Sequence, residues 1–248
     1  MVEGRAFRGR LILAHVFLIA FIALMMVPLF MVVSISLRKG NFATGGILPT
    51  PETFSLEHWR MVLGLPVQQA DGTWLKPTVS VLRWFGNSVR ISAISAALIL
   101  ALSATAAYAF ARMRFAGRAR LLNALLILQM FPMVLAIIAI YSILEALGRW
   151  VPALGLDTHP GLILAYLGGI ATHIWMIKGY FDSLPPSLEE SAKIDGATPW
   201  QTFRLIMLPL SAPIFAVVFI LAFIGLIGEY PLASVILQRT DQWTLAVG

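Results

Sequence analysis

The sequence contains no cysteine among its 248 residues, which excludes disulfides, thiolate catalysis and cysteine-based metal sites. No lysine follows a glycine anywhere, so the chain carries no phosphate-binding P-loop. Neither an H-E-x-x-H nor a G-x-S-x-G pattern occurs, and the four histidines lie far apart in sequence. Charge is also scarce: 12% of the residues are charged, against about 25% in a soluble domain. We therefore expect no catalytic, cofactor-binding or metal site in this chain.

Apolar residues are abundant instead and make up 59% of the chain. Many of them fall in five runs without a formal charge, each at least as long as the roughly 17–25 residues that span a bilayer. The runs are Leu11–Ile35, Ile91–Ala111, Leu121–Leu144, Gly161–Ile177 and Leu205–Gly228. They predict an all-α polytopic membrane protein with at least five spanning helices. The first run is about twice as long as the apolar core of a signal peptide, so we interpret it as a retained helix.

Lysine and arginine mark alternate loops between these runs. Since cytoplasmic loops are enriched in both, we predict a cytoplasmic amino terminus and an extracytoplasmic loop over residues 39–83, with short structure near Leu56–Leu63. The net charge of +6 follows from this topology. No basic stripe with interleaved aromatics occurs, so nucleic acid is not expected as a partner. The basic residues of the cytoplasmic side are Arg5, Arg8, Arg10, Arg112, Arg114, Arg118, Arg120, Lys178, Lys193 and Arg204.

The most informative stretch is a polar segment between the last two runs, Ser187–Pro209. Ser187 and Glu190 have the spacing of a capping box, and Gly196 supplies a left-handed turn that ends this first helix. Thr198 begins a second helix, with Pro199 at its first position, and Gln201 completes a second capping box with Thr198. Two capped short helices on one cytoplasmic loop are typical of a part that docks with another protein, although a well-capped connector has the same local pattern.

The segment also resembles a known family. Inner-membrane permease subunits of binding-protein-dependent ABC importers carry E-A-A, three residues, G, nine residues and I-x-L-P. This chain has the same spacing, with serine in place of the first alanine as its one departure. Further stretches resemble the smaller permease of the maltose/maltodextrin branch, among them RKGNFATG, AYAFARMRF, QMFP and DGATPWQ. The matching positions are Glu190, Ser191, Ala192, Gly196, Ile206, Leu208 and Pro209.

The resemblance implies a fold and a set of partners. The fold is a MetI-like helical bundle in the bacterial inner membrane, with residues 1–248 as a single permease domain and residues 178–209 as its coupling loop. The implied partners are an ABC ATPase dimer that binds the ATP, a second permease, an extracytoplasmic solute-binding protein, membrane lipid, and maltose or maltodextrin. Family members have six spanning helices, whereas five runs are visible before Gly248. We expect the sequence to be a fragment of a longer chain.

Roles in the loop follow from the same resemblance. Glu190 is expected to meet a cation of the ATPase, and Ala192 to allow close approach. Gly196 makes the bend between the two helices. Ile206 and Leu208 are expected to anchor the second helix on the bundle, and Pro209 to set the angle into the last run.

Three residues in or directly after the apolar runs are candidates for a translocation path. Pro132 predicts a kink whose freed carbonyl is satisfied by a neighbouring helix, or a kink that lines the path together with Gln129. Glu229 is either a hydrated residue at the outer end of its run or a path residue. Gly168 and Gly169 are interpreted as sites of close helix packing.

Rival functions stay open at this point. The solute is maltose or maltodextrin, or another oligosaccharide or a disaccharide such as trehalose. A different class, an ion-coupled secondary carrier, would be expected to place carboxylates inside the membrane, and the runs contain none. A membrane enzyme is a third option, without a visible catalytic constellation.

Overall fold

A computed structural model of the chain describes residues 5–40, 48–68, 72–77 and 81–248. The NFATG stretch at residues 41–45, on which part of the resemblance depends, lies outside these ranges. The chain divides into two compact units, Met1–Leu82 and Arg83–Gly248.

The first unit contains a long helix, α1 (Arg5–Ser36), a short helix, α2 (Glu57–Val62), and a two-stranded hairpin of β1 (Val67–Gln68) and β2 (Trp74–Leu75). The hairpin is antiparallel, with Val67 opposite Leu75 and Gln68 opposite Trp74. From Leu11 to Val33 the apolar side chains of α1 are exposed around the whole helix. A helix that is apolar on every face requires lipid or another apolar surface around it, which fits the predicted first span.

The described residues of the second unit form helices and connecting turns, without a strand. The first and longest helix, α3 (Val81–Arg112), has 32 residues and begins just before the boundary between the units. Two 3₁₀ turns lie at Pro152–Leu154 and Leu167–Gly169, and a π-helical segment at Phe203–Met207. The remaining helices are α4 (Arg118–Gln129), α5 (Met133–Trp150), α6 (His159–Tyr166), α7 (Ile170–Ser183), α8 (Ser187–Ile194), α9 (Pro199–Thr202), α10 (Leu208–Leu210), α11 (Ala212–Ile227) and α12 (Pro231–Ile236).

Three helical stretches are long and apolar enough to cross a membrane: Gly9–Ser36, Val81–Arg112 and His159–Ser183. The other two predicted spans are bent pairs. The chain turns by 105° between α4 and α5, and by 75° between Pro199–Leu210 and α11. Pro132 explains the first bend, because it lacks a backbone N–H and stands in an extended conformation before α5. If each bent pair is one span, the structure agrees with the five predicted spans and confirms the all-α membrane fold.

Helix α3 connects two separate hydrophobic cores of the second unit. Its buried face repeats every three to four residues and is rich in serine and alanine, which lets neighbouring helices approach closely in a membrane. We name the two cores by their position along α3. The core near the start of α3, named the outer core, contains Ile91, Leu144, Leu162, Tyr166, Leu232, Ala233, Ile236 and Leu237. The core near the end of α3, named the inner core, contains Ala104, Ala107, Tyr108, Ile174, Ile177, Phe181, Phe203, Met207 and Val218.

Close backbone approach occurs at other glycines than predicted. A Cβ on Gly148 would lie 2.8 Å from the Cα of Gly155, so these two positions require glycine. At Gly168 and Gly169 a Cβ would meet no atom of the described chain within 4 Å. The prediction of close packing at these two residues is therefore wrong within this chain, and they lie on a 3₁₀ turn beside a cavity instead.

Candidate docking loop and membrane cavity

The first loop helix, α8, begins differently from the sequence prediction. Its N-cap is Pro186, and no side chain caps it, so the predicted box between Ser187 and Glu190 is wrong. The amides of Glu189 and Glu190 bond to the carbonyl of Pro186 at 3.0 and 3.1 Å. Because the helix starts one residue early, Ser187 is already helical and the amide that it was expected to cap is occupied.

The bend at Gly196 is confirmed. Its φ is +79°, the left-handed region that glycine adopts without strain. The amide of Gly196 bonds to the carbonyl of Lys193 at 3.0 Å, and the amide of Ala197 to that of Ala192 at 2.9 Å. This pair of bonds is a Schellman motif, which satisfies the last carbonyls of α8 and ends it abruptly.

The cap of the second loop helix, α9, is also confirmed. The Thr198 hydroxyl accepts from the amide of Gln201 at 3.2 Å, and the Gln201 side chain accepts from the amide of Thr198 at 2.8 Å. Pro199 follows at the first helical position, where no N–H is needed. Both ends of the bend are therefore stabilised by local hydrogen bonds.

The anchors of the second loop helix are mainly residues that the sequence analysis missed. Phe203 and Met207, four residues apart, are 3% and 0% exposed and belong to the inner core. The ring of Phe203 lies 4.8 Å from that of Tyr108 on α3. The predicted anchors Ile206 and Leu208 are half-buried, and Pro209 is exposed. The i,i+4 spacing of two large apolar residues was the available signal.

The outward side of the loop carries charge and exposed apolar groups. Glu190 and Ser191 are exposed, whereas Ala192 is buried against its own chain with 4% of its surface accessible. Three large apolar side chains are strongly exposed although they lie on this polar segment: Ile194 at 86%, Trp200 at 61% and Leu205 at 66%. An exposed apolar group on a polar loop is typical of a protein interaction surface.

Another missed residue is Arg112, the last residue of α3. Its Nε lies 2.9 Å from Oε1 of Glu189 in the first turn of α8. The N–H does not point along this line, so the contact is an ion pair rather than an aligned hydrogen bond. Its Nη2 donates to the carbonyls of Phe181 at 2.7 Å and of Leu184 at 2.8 Å. Sequence analysis used Arg112 only as an indicator of topology.

Two of the three candidate path residues, Gln129 and Pro132, lie at the same bend. Gln129 and Phe131 line a cavity of about 510 Å³ whose opposite wall is Gly168–Thr172, at the break between α6 and α7. Pro132 stands at the adjoining bend, as the N-cap of α5. Among the residues that line the cavity, Gln129 and Thr172 carry polar side chains and the others are apolar.

Glu229 lies elsewhere and is already engaged. Its Oε2 accepts from the hydroxyl of Tyr166 at 2.8 Å, and its two oxygens accept from the amides of Leu232 and Ala233 at 2.7 and 3.0 Å. It therefore closes the first turn of α12 and joins it to α6. Among the residues that the structure describes, no group of three histidine or acidic side chains could hold a metal ion.

Comparisons with known proteins agree on one family. The family described as "Binding-protein-dependent transport system inner membrane component" matches residues 99–246. The maltose/maltodextrin transport system permease protein MalG of Vibrio parahaemolyticus is 55% identical over 248 residues, which cover 100% of this chain and 83% of that protein. MalG of Escherichia coli K12 is 56% identical over 248 residues with the same coverage.

A solved structure adds the fold. A bacterial ABC transporter involved in the import of the acidic polysaccharide alginate matches with a TM-score of 0.78 at 22% identity, over 100% of this chain and 81% of the other. At that identity the likeness supports the fold and no shared substrate. The chain therefore belongs to the family of inner membrane components of binding-protein-dependent transport systems, and it resembles the MalG permeases over its whole length.

Proposed function

We propose that the chain is a permease subunit of an ATP-driven importer of maltose and maltodextrins. Its loop over residues 178–209 docks on a separate ABC ATPase, which binds the ATP, so the permease itself holds no cofactor. Identity of 55–56% to MalG permeases across all 248 residues supports the substrate. A second permease, an extracytoplasmic binding protein and lipid complete the assembly.

The observation that carries the docking proposal is the contrast between the two sides of the loop. On its inner side Phe203 and Met207 are buried in the inner core, and Tyr108 donates to the carbonyl of Pro199. On its outer side Ile194, Trp200 and Glu190 are exposed. A loop that is fixed to the bundle on one side can bind a partner through its exposed apolar residues. It then transmits the partner's movement to the bundle, because the buried residues hold it rigidly.

The orientation with a cytoplasmic amino terminus is part of the proposal. Its support is the distribution of basic residues together with the contacts of α3. The basic end of α3 meets the docking loop through Arg112, whereas its other end meets residues 240–245. The docking loop and the basic turn after α3 thus share one side of the second unit, where the positive-inside rule places the cytoplasm.

Docking is tested with Ile194→Asp in the assembled transporter. Ile194 is 86% exposed, so the substitution costs little folding stability. We expect the amount of ATPase that co-purifies with the permease to fall at least tenfold, since a charge replaces an interface contact. Leu48→Asp is the matched control, an exposed apolar residue in the first unit at 72% exposure, and should retain the ATPase. Unchanged co-purification of the Ile194 variant would contradict docking through this surface.

The substrate and the energy source are tested by transport. Proteoliposomes with the complete transporter should accumulate labelled maltose when ATP and the binding protein are supplied, and labelled trehalose at least tenfold more slowly. Replacing ATP by a proton or sodium gradient should give no accumulation. Accumulation driven by an ion gradient alone would instead identify a secondary carrier.

The cavity beside Gln129 is proposed as part of the translocation path, with Pro132 holding the bend that opens it. Because the chain has no cysteine, Gln129→Cys introduces a single labelling site. We expect a water-soluble maleimide to label it and maltose with binding protein and ATP to slow the labelling at least threefold. Ile138→Cys, at 74% exposure outside the residues that line the cavity, is the control and should show no sugar dependence. Glu229 is left out of this path, since its carboxylate is occupied within the chain.

A further inference from the structure

We propose that Arg112 is the positioning residue that ties the docking loop to the membrane bundle and passes the movement of the ATPase to α3. This inference rests on the proposed function, because it assumes that α8 receives force from a partner. Arg112 belongs neither to the family motif in the loop nor to the exposed docking surface.

The guanidinium of Arg112 joins three structural elements at one point. It is the last residue of α3, it donates to the carbonyls of Phe181 and Leu184 at the end of α7, and it pairs with Glu189 in the first turn of α8. Only the short stretch Leu184–Pro186 lies between α7 and α8. The angle between the fourth predicted span and the docking helix is thus held by one side chain of the second span.

Helix electrostatics favour this arrangement on both sides. The carbonyl end of α7 carries partial negative charge, which attracts the guanidinium. The amino end of α8 carries partial positive charge, which favours the carboxylate of Glu189. The planar guanidinium serves several acceptors at fixed angles, whereas the ammonium of a lysine offers a single nitrogen on a flexible stem. The geometry therefore requires arginine in particular.

Burial strengthens the ion pair of Arg112 and Glu189. The side chains of Arg112 and Glu189 are 14% and 13% exposed. The pair of Arg149 and Glu145 on α5, by contrast, is 73% and 49% exposed. Water competes little for a pair that is mostly buried, and removing one partner leaves the other charge without compensation. Movement of α8 away from α3 is correspondingly unfavourable.

The two neighbouring glutamates of α8 have different surroundings. Glu189 points inward to Arg112, whereas Glu190 is exposed and remains available to a partner. One turn before Arg112, Tyr108 donates to the carbonyl of Pro199 at 3.3 Å, at the start of α9. The last turn of α3 thus contacts both loop helices, so movement of the loop reaches α3 through two contacts.

The test measures labelled maltose transported per ATP hydrolysed by the complete transporter in proteoliposomes. Arg112→Gln should lower this ratio at least fivefold while the ATPase still co-purifies in normal amount. Arg112→Lys should restore part of the ratio, because it returns the charge without the three-way geometry. Glu189→Gln should lower it about twofold, and adding this change to Arg112→Gln should have little further effect. Arg149→Gln is the matched control, with an unchanged ratio.

Two outcomes would overturn the inference. One is an unchanged ratio in Arg112→Gln. The other is a parallel loss of assembled complex, ATPase activity and transport without a change in ratio, which means a purely structural role. If Ile194→Asp abolishes docking while Arg112→Gln transports normally, only this inference fails. If the unsubstituted chain transports sugar without any ATPase, the proposed function fails with it.

Discussion

The two ends of α3 hold other parts of the second unit in different ways. At the inner end, which is the end of α3 near the inner core, one cation, Arg112, donates to two carbonyls and forms an ion pair with one carboxylate. At the outer end neutral side chains share the task. Trp84 donates to the carbonyl of Thr240 at 2.7 Å, Asn87 to the carbonyls of Asp241 and Trp243, and Ser88 accepts from the amide of Leu245 at 2.8 Å.

The difference suggests different mechanical roles. Each neutral hydrogen bond at the outer end contributes about 1 kcal/mol, so the loss of one leaves the others in place. A tilted contact between the rings of Trp84 and Trp243, at 5.7 Å between ring centres, adds to this distributed attachment. The inner link depends on a single side chain, so the loss of Arg112 removes all three of its contacts at once. An attachment through several independent bonds suits residues 240–245 if they stay fixed on α3. An attachment through one side chain suits a docking loop that transmits the movement of a partner to α3.

Gly196→Val should have the largest effect of these substitutions, because it distorts the docking loop that the inner end of α3 holds. At φ +79° a β-branched residue is strained by about 1–2 kcal/mol or more, although a Cβ would meet no atom of the described residues within 4 Å apart from its chain neighbours. We expect normal insertion in the membrane and a loss of at least tenfold in maltose transported per ATP hydrolysed. Gly196→Asn is the control, because asparagine tolerates the left-handed region, and should retain most of the ratio. Normal coupling of the valine variant would contradict the role of the bend.

Asn87→Ala should weaken the attachment at the outer end of α3 only in part, because the hydrogen bonds of Trp84 and Ser88 remain. It removes two bonds, to the carbonyls of Asp241 and Trp243, worth about 2 kcal/mol together. Hydrogen exchange of the backbone amides at 242–248 should accelerate accordingly. Ser88→Ala removes one bond and should accelerate exchange less, mainly at the amide of Leu245. Equal effects of the two variants would mean that the bonds do not act separately.

Thr198→Ala tests whether local caps also stiffen the loop. Loss of the cap on α9 should destabilise the second loop helix by about 1 kcal/mol. The expected result is a reduction of about twofold in maltose transported per ATP, well below that of Gly196→Val. Thr198→Ser retains the acceptor oxygen and should behave as the unsubstituted chain. An effect of Thr198→Ser as large as that of the alanine variant would exclude capping as the cause.

Much of the loop is predictable from sequence because its structure is local. The bend at Gly196 and the capping box of Thr198 and Gln201 depend on residues within a few positions of each other. The predicted box at Ser187 failed because two preceding prolines begin the helix earlier and their carbonyls take the amides. The anchors Phe203 and Met207 were missed, since their partners lie far away in sequence on α3 and α7.

Composition and spacing alone determined that this is a helical membrane protein with about five spans and a bent, capped loop, because bilayer thickness and backbone hydrogen bonding act on short stretches of chain. Only the tertiary structure decided which of two adjacent glutamates faces inward, that Arg112 serves three elements, and that Gln129 rather than Glu229 borders the cavity. These choices depend on where distant helices meet, and no local pattern encodes that.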